Sequence, residues 1–450
     1  DRSLDVFSLV PAFGGLIVTL LAFFVALSII VAVHEYGHYI VGRWSGIEAD
    51  VFSLGFGPVI LSRVDSRGTR WQFALIPFGG YVKFKGDKDA ASGADSDSLS
   101  RLDEKQLRQT MHGAPLWART ATVAAGPVFN FALSLILFSA IALWQGQVRS
   151  PLTIGSLYEI PYAHQMQVGD IVLAIDGQPV PDFADVTSLS EFWSNLSDAE
   201  TYEFIIRRNE QELAVPGPNI NIARVSAVVP RSAAAQADLR LGDVITRIDG
   251  VSILTFDSLK KAVEGSSGKA LAVEVWREGA TRQLSLTPRR VDEQTDEGFS
   301  AQWRIGVMGG GFFFEPKTST LPFASALTSG ADATWRVMKG SLSGFYHVVT
   351  GAISSCNLSG PIGIAETSGQ MARQGGDSFI WFIAVLSAAV GLINLFPVPV
   401  LDGGHLVFFA FEAVIGRPPS AYALNVLMTI GLALVLGFMV FALGNDLLCP

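Results

Sequence analysis

Charge is scarce in this sequence of 450 residues. Only 16% of the residues are Asp, Glu, Lys or Arg, whereas 49% are hydrophobic, and the mean hydropathy is +0.38. This composition is too apolar for an ordinary soluble enzyme. The charge that is present is acidic on balance, with 32 basic and 41 acidic residues. Because binding to phosphates requires a basic surface, we expect no nucleic acid partner.

Cysteine and histidine are also rare. The chain contains two cysteines, Cys356 and Cys449, and six histidines. Two cysteines are too few for a disulfide framework or a cysteine-based zinc site. A metal ion in this protein would therefore be held by histidine and carboxylate side chains.

Long uncharged stretches account for the low charge. Residues 6–33, 120–148, 378–401 and 418–445 contain no Asp, Glu, Lys, Arg or His. Each provides the roughly 20 residues that a helix needs to cross a bilayer core of ~30 Å. The first stretch lacks a basic n-region and a small-residue cleavage site, so we expect a retained span and not a cleaved signal peptide. We predict a polytopic α-helical membrane protein with four transmembrane helices in contact with the lipid bilayer.

These stretches divide the chain into predicted segments. Residues 6–42 form the first span, 43–119 a loop, 120–148 the second span, 149–222 and 223–308 two small domains, 309–377 a linker with an amphipathic helix, and 378–401 and 418–445 the last two spans. Loop 43–119 has a weak basic excess, whereas residues 149–317 are acidic. The positive-inside rule therefore places the loop in the cytoplasm, and the small domains and both termini outside. We expect the amphipathic helix to lie on the outer membrane surface.

The two small domains share a repeated pattern. "VGDIVLAIDGQPV" at 168–180 recurs as "LGDVITRIDGVSI" at 241–253, and each copy has a Gly-Asp turn, a strand and an Asp-Gly turn. The spacing indicates two tandem domains. With the strands and helix that follow, the pattern resembles a PDZ domain, a fold that binds extended peptide ends at a sheet edge. The alternative is a pair of small β-rich spacers.

The first uncharged stretch ends in an H-E-x-x-H motif made of His34, Glu35 and His38. Residues four apart on a helix share one face, so both imidazoles can bind one zinc ion while Glu35 holds a water molecule. Ionisable side chains beside a membrane span are costly and usually functional. The simpler alternative is a solvated polar helix end at the membrane surface.

A catalytic zinc ion needs a third protein ligand. Asp402 ends the third uncharged stretch, after Pro397 and Pro399, which break regular helix. We therefore predict an unwound segment that lines a cavity, with Asp402 as the third ligand. Two alternatives are open: Asp402 caps the helix that starts at Gly403, or His405, one turn further along, is the ligand.

Together these motifs resemble the site-2 protease family of intramembrane zinc metalloproteases. The resemblance rests on H-E-x-x-H in the first span, "AAGPVFNFALS" (124–134) in the second, "NLFPVPVLDGG" (394–404) in the third and the PDZ-like repeats, and it covers essentially the whole chain. It implies one catalytic Zn²⁺ bound by His34, His38 and Asp402, with Glu35 as general base. It also implies the bacterial inner membrane, with the PDZ-like domains and both termini in the periplasm.

The resemblance implies that the enzyme takes part in regulated intramembrane proteolysis. The expected substrates are single-span membrane proteins, such as anti-sigma factors already trimmed by another protease, and remnant signal peptides. The PDZ-like domains would serve as a size filter or a docking platform for peptide ends or periplasmic regulators. A non-enzymatic membrane scaffold or chaperone with two peptide-binding modules is the alternative. A second alternative is a membrane-anchored zinc protease with its active site in the cytoplasm. Its third zinc ligand would be a Glu or a His in a soluble segment.

Substrate contacts are expected from two segments. Residues 51–86 have the pattern of β-strands with a break at Gly79 and Gly80. A helical substrate hides its carbonyl groups, so a sheet edge at membrane depth could hold it extended. The alternative is a cytoplasmic hairpin that packs against helix ends. The second segment contains Pro397 and Pro399. The Asn of the family's N-x-x-P-x-P-x-x-D-G motif corresponds to Asn394 in this segment. Asn394 could bind the substrate backbone or the developing oxyanion, or it could simply break the helix.

Asn130 lies within the second span. In the family this residue supports the active-site region. A hydrogen bond between two spanning helices explains an Asn at this position equally well.

Overall fold

The computed structural model describes residues 10–87, 102–183, 186–197, 199–295, 298–309 and 311–449. Its helices are α1 (Val10–Trp44), α2 (Glu104–Arg108), α3 (Leu116–Gln145), α4 (Val186–Asn195), α5 (Ala233–Gln236), α6 (Phe256–Gly265), α7 (Phe323–Val349), α8 (Pro361–Gln374), α9 (Gly376–Asn394), α10 (Asp402–Ile415) and α11 (Ala421–Leu448). Its strands are β1 (Ala49–Val64), β2 (Arg70–Phe84), β3 (Gln147–Val148), β4 (Ile154–Leu157), β5 (Ile171–Ile175), β6 (Gln178–Pro179), β7 (Thr201–Arg208), β8 (Gln211–Pro218), β9 (Val225–Val228), β10 (Val244–Ile248), β11 (Val251–Ser252), β12 (Leu271–Arg277), β13 (Ala280–Leu286), β14 (Arg289–Thr295), β15 (Gly298–Arg304), β16 (Val307–Gly309), β17 (Phe314–Pro316) and β18 (Thr318–Ser319).

The chain divides into two compact units. The helical unit comprises the described residues up to Ile141, Ala324–Gly351 and those from Ser355 onward, and the repeat unit comprises Ala142–Phe323 with Ala352–Ser354. Among the described residues, α1 from Gly15, α3, α9 and α11 are long and apolar enough to cross a membrane. The chain is thus a membrane protein with four candidate spanning helices and several small sheets. Residues 6–9 of the first predicted span lie outside the described residues.

The third spanning helix is shorter than predicted. We predicted a span over 378–401, but α9 ends at Asn394 and the next helix, α10, begins only at Asp402. Pro397 and Pro399 lack the amide hydrogen that a continuing helix needs, and each proline ring clashes with the preceding turn. The unwound segment before Asp402 is therefore present, as the prolines indicated.

Strands β1 and β2 form one bent antiparallel sheet. The first half of β1 lies between the two ends of β2 and pairs with both of them. The second half of β1 also pairs with the start of β2. The bend in β1 occurs at Gly55 and Gly57, whose φ angles of +92° and +84° favour glycine. Methyl groups at Gly55 would also collide with the carbonyl oxygens of Ala74 and Ile76.

The last segment of this sheet runs alongside α1. Phe84 contacts Gly42, Gly80 packs against Glu35, and Phe78 contacts the ring of Phe24. These contacts follow α1 from its polar end well into its apolar part. The sheet therefore extends along the spanning helix, whereas the alternative hairpin would touch only the helix ends.

In the repeat unit, the two sequence repeats have the same strand order. The first forms the sheet β6-β5-β7-β8 and the second the sheet β11-β10-β12-β13. The Gly-Asp turn of each repeat is held by an arginine at the end of the third strand in its sheet: Arg208 donates two hydrogen bonds to Asp170, and Arg277 donates two to Asp243. Both repeats therefore preserve one local architecture.

The first repeat extends beyond its predicted boundary. We assigned residues 309–377 to a linker, but β17 pairs with β4 and β18 pairs with β3 of the first repeat. Phe313 and Phe314 are fully buried in the core of that repeat. The second repeat is thus inserted into the first. The predicted boundary is wrong because these strand pairs join segments that are far apart in the sequence.

The linker region contains two helices of the helical unit. The predicted amphipathic helix is α7, whose Gly330 packs on the Leu135 carbonyl and whose Thr334 Oγ lies 3.2 Å from the Oγ of Ser134. Ser134 lies well inside α3. Helix α7 therefore contacts the inner part of this span, whereas a helix on the membrane surface would contact only the end of the span. We did not predict α8, whose Gly369 packs on Thr19 of α1.

The two cysteines form a disulfide, Cys356–Cys449, across 93 residues of sequence. The same corner is held by Asp446, whose carboxylate accepts hydrogen bonds from the amides of Gly360, Ile362 and Gly363 at the start of α8. A carboxylate is favourable at a helix N-terminus, where backbone amides are unpaired. The end of α11 is therefore fastened to the start of α8.

Candidate metal centre

The two histidines of the motif meet on α1. His34 and His38 are one helical turn apart, and their Nε2 atoms lie 3.1 Å from each other. A glycine of α3, Gly126, lies directly against both rings, and a methyl group there would collide with them. The close approach of α3 to the imidazoles therefore requires glycine at this position.

Asp402 joins this pair from a distant part of the chain. Its Oδ2 lies 3.1 Å from His34 Nε2 and 3.5 Å from His38 Nε2. Gly403 and Gly404 pack against the carbonyl groups of the unwound segment before Asp402, leaving no space for side chains. The helix starts at Asp402 itself and its N-cap residue is Leu401, so Asp402 does not occupy the capping position that we considered as an alternative.

The three donor atoms suit a zinc ion. Their separations of 3.1, 3.1 and 3.5 Å are close to the about 3.3 Å expected between ligands of a tetrahedral zinc with bonds of about 2.0–2.1 Å. Asp402 Oδ2 is a buried oxygen without a hydrogen-bond partner. Two imidazoles and one carboxylate are also a ligand combination that zinc accepts. Among the described residues, only these three form such a group.

Helix α3 supports both imidazoles from behind. His38 Nδ1 lies 2.8 Å from the Thr122 carbonyl oxygen, to which it can donate its proton. His34 Nδ1 lies 3.2 Å from the Asn130 side-chain amide, whose Oδ1 is buried without a partner. A zinc-binding His34 would carry a proton on Nδ1, so the amide oxygen of Asn130 should face it. These contacts fix the orientation of metal-binding histidines.

Glu35 lies beside the metal group and against the sheet. Gly80 lies so close that a methyl group there would be 3.1 Å from Glu35 Cγ and 2.7 Å from the Ser53 carbonyl oxygen. The edge of the sheet formed by β1 and β2 is therefore in direct contact with the predicted general base.

The other predicted residues lie nearby in sequence or structure but outside the metal group. Asn394 is the last residue of α9 and is half-buried, and Pro397 and Pro399 belong to the unwound segment. Gly79 adopts a φ of +144° and packs on Phe56. His405 faces Phe408 and is not part of the metal group.

Sequence reasoning missed two contributors to the site. The Thr122 contact is made by a backbone carbonyl, which leaves no signature in the sequence. Gly126 stands in the "AAGPVFN" stretch, and the glycine-proline pair inside a span was the available signal.

The sequence profile of Peptidase family M50 matches residues 22–438. The chain belongs to Peptidase family M50. This is the site-2 protease family that the motifs resemble. The chain is 36% identical over 446 residues to a protein of Agrobacterium fabrum assigned by name to the zinc metalloproteases, covering 98% of both chains.

Other M50 relatives have similar names. A Rhizobium meliloti protein, also assigned by name to the zinc metalloproteases, is 35% identical over 430 residues, covering 95% of this chain and 96% of the relative. The regulator of sigma-E protease RseP of Salmonella typhimurium is 33% identical over 456 residues, covering 95% of this chain and 98% of the relative. With four candidate spanning helices, the M50 chain is an intramembrane protease of the zinc metalloprotease class, and the non-enzymatic scaffold is not supported.

Proposed function

We propose that this M50 protease binds one catalytic zinc ion through His34, His38 and Asp402 and cleaves single-span membrane proteins within the bilayer. The observation that carries the proposal is the convergence of these three side chains, from two distant segments, on one point beside a spanning helix. When bound, zinc supplies Lewis acidity toward the scissile carbonyl group and toward a water molecule. These three side chains would leave room for a water molecule as a further ligand.

Glu35 is the proposed general base. It follows His34 directly, borders the metal group and packs against Gly80 at the edge of the sheet. From this position Glu35 would accept a proton from the attacking water and deliver it to the leaving amine. Asp402 and the two imidazoles would remain ligands throughout.

The substrate is proposed to lie between the sheet and the unwound segment. Gly79 and Gly80 provide a strand end without bulky side chains beside Glu35, so an extended substrate could pair with this edge. Across the site, Asn394 ends α9, and Pro397 and Pro399 belong to the unwound segment that follows it. Asn394 would donate a hydrogen bond to the substrate backbone there.

Replacement of Glu35 by Gln tests the proposal. We expect Glu35→Gln to retain zinc and to lose cleavage of a single-span substrate in proteoliposomes, because the amide is not a base. Full cleavage by Glu35→Gln would refute the proposed mechanism. Wild-type and variant protein should be compared at equal zinc content, so that loss of metal is not mistaken for loss of the base.

The proposed location is the bacterial inner membrane, with the repeats and both termini in the periplasm. The disulfide Cys356–Cys449 supports this orientation, since disulfides persist in oxidising compartments. In this orientation the sheet of β1 and β2 enters the bilayer from the cytoplasmic side. Its exposed Phe56, Ile60, Leu61, Phe73 and Phe78 would then contact lipid.

The repeats are proposed to be PDZ domains that receive peptide ends or periplasmic regulators. In the second repeat, a cavity of about 340 Å³ lies between α6 and the segment of β16, lined by Phe256, Leu259, Val263, Ile305 and Met308 together with charged side chains. Among the described strands, β16 pairs with β9 alone. A peptide could therefore add as a further strand and place an apolar side chain in the cavity.

Peptide binding can be tested at Met308, which is 58% exposed. Met308→Lys should abolish binding of fluorescent peptides with apolar C-termini without unfolding the repeat. Val251 is similarly exposed on the same repeat but lies outside the cavity, so Val251→Lys is the matched control. Equal binding by both variants would argue for the spacer alternative.

We further propose that the physiological substrates are anti-sigma factor-like proteins, already trimmed on their outer side, and remnant signal peptides. A trimmed outer stub presents a new peptide end, which is what the cavity of the second repeat would recognise. Substrates with a long and a short outer domain should be compared in proteoliposomes. Faster cleavage of the short form would support the size filter, and equal rates would contradict it.

A further inference from the structure

An ion pair joins the helix that begins at Asp402 to the second spanning helix. Arg119, near the start of α3, donates hydrogen bonds of 3.0 and 2.6 Å to the two carboxylate oxygens of Glu412, near the end of α10. The side chains are only 16% and 17% exposed. This bidentate arrangement of an arginine and a carboxylate is both strong and geometrically specific.

Further contacts fix the guanidinium of Arg119. Its Nε donates a 3.0 Å hydrogen bond to the Ala114 carbonyl, and its Cζ lies 5.3 Å from the centre of the Phe409 ring on α10. Phe409 also packs against a buried cluster that includes Tyr39 of α1 and Val123 of α3. Arg119 therefore contacts α10 through both its charge and its planar face.

The ion pair and the metal group lie at opposite ends of α10. At one end, Asp402 approaches His38, which is itself held by the Thr122 carbonyl of α3. At the other end, Glu412 is held by Arg119, which lies one turn before Thr122 on the same helix. These five residues thus belong to a closed frame in which α3 holds both His38 and the far end of the helix that carries Asp402.

We infer that Arg119 and Glu412 are positioning residues that hold the Asp402 carboxylate in place for zinc before the metal binds. The inference rests on the proposed role of Asp402 as a ligand. Preorganised ligands lose less conformational freedom when they bind a metal, and small displacements of catalytic groups are costly. Loss of the pair would release α10, and it would also leave one charge partly buried without a partner.

The test uses full-length protein in detergent, stripped of metal and titrated with zinc against a chromophoric chelator. The variants are Arg119→Gln, Glu412→Gln and the charge-swapped double variant Arg119→Glu/Glu412→Arg. The matched control is Glu48→Gln/Lys85→Gln, which removes a 2.7 Å ion pair of the helical unit that does not involve α10. Zinc affinity, kcat and KM for a single-span substrate, and the Tm of the metal-free protein are measured for each.

Each single variant should bind zinc about tenfold more weakly, in the range seen for residues that support metal ligands. The kcat of each should fall, while KM stays within about twofold of the wild type, because the substrate segments are untouched. The swapped variant should recover most of the zinc affinity, and the control should match the wild type. Wild-type zinc affinity in both single variants would overturn the inference.

A purely structural role has a different signature. In that case the Tm of the metal-free protein would fall in the single variants, and zinc affinity would stay unchanged or fail to recover in the swapped variant. That outcome also overturns the inference. If Asp402→Asn keeps full zinc affinity, the proposed ligand set itself fails, whereas loss of zinc in Asp402→Asn with normal binding in Arg119→Gln refutes only the positioning role.

Discussion

Gly80, at the edge of the sheet formed by β1 and β2, packs against the side chain of Glu35 on α1. This contact connects the edge of the sheet to the residue that follows His34. The sheet segment that would receive a substrate and the base that would activate water are thus in direct contact. Movement of the sheet edge would therefore alter the position of the base.

A methyl group at Gly80 should disturb this arrangement. In Gly80→Ala the added carbon would lie 2.7 Å from the Ser53 carbonyl oxygen and 3.1 Å from Glu35 Cγ, so the strand or the base must shift. We expect kcat/KM to fall by about a hundredfold, as displacements near 1 Å can cause, with zinc content unchanged. Gly437 of α11 has open space around it, and Gly437→Ala should retain normal kinetics. Normal cleavage by Gly80→Ala would contradict the proposed role of this edge.

Metal content should distinguish Asp402 from His405. Asp402→Asn should lose stoichiometric zinc, because an amide is a poor replacement for a carboxylate ligand and two histidines alone bind weakly. His405→Gln should retain one zinc ion per chain, since His405 lies outside the metal group. Metal analysis of both purified variants beside the wild type provides the measurement. Loss of zinc in His405→Gln but not in Asp402→Asn would reverse the assignment.

Asn130 should contribute to zinc affinity without binding the metal. Asn130→Leu removes the side-chain partner of His34 Nδ1, and we expect zinc to bind roughly 10- to 100-fold more weakly. The hydroxyl of Thr120, on the same helix, bonds only to the Leu116 carbonyl one turn earlier, so Thr120→Val is the control. Competition with a chelator measures both. Identical zinc affinities for the two variants would assign Asn130 to helix packing alone.

The orientation of the chain can be tested through its cysteines. Cys356→Ser leaves Cys449 as a free thiol at the end of α11. If this end is periplasmic, a membrane-impermeant maleimide should label it in cells whose outer membrane alone has been permeabilised. In a chain without other cysteines, Ser66→Cys in the exposed turn between β1 and β2 should react only after the inner membrane is opened. The opposite labelling pattern would invert the proposed topology.

The candidate site could be predicted where its signals are local. His34 and His38 share a helix face because of their spacing, and Asp402 is conspicuous as a charge at the end of an apolar stretch. The prolines before Asp402 also predicted the break in the helix. The meeting of Asp402 with the two histidines, in contrast, depends on how the start of α10 packs against α1, and here the family resemblance guided the prediction.

Other features had no local signal. The pairing of Cys356 with Cys449 depends on the end of α11 reaching the start of α8, which composition does not reveal. The ion pair of Arg119 and Glu412 connects segments separated by most of the chain. Phe313 and Phe314 belong to the first repeat although they follow the second, because long-range strand pairing, which no short pattern encodes, decides their place.

The insertion of the second repeat into the first fixes an order of folding during synthesis. When β4 leaves the ribosome, its partner β17 has not been made, because the whole second repeat comes between them. The second repeat has its own sheet and core and can fold as soon as its last strand emerges. Until then the first repeat presents an unpaired strand edge, which is a site for misassociation with other chains. The repeat that starts first is thus completed last, and the ends of the inserted repeat must stay close together for β17 to reach β4.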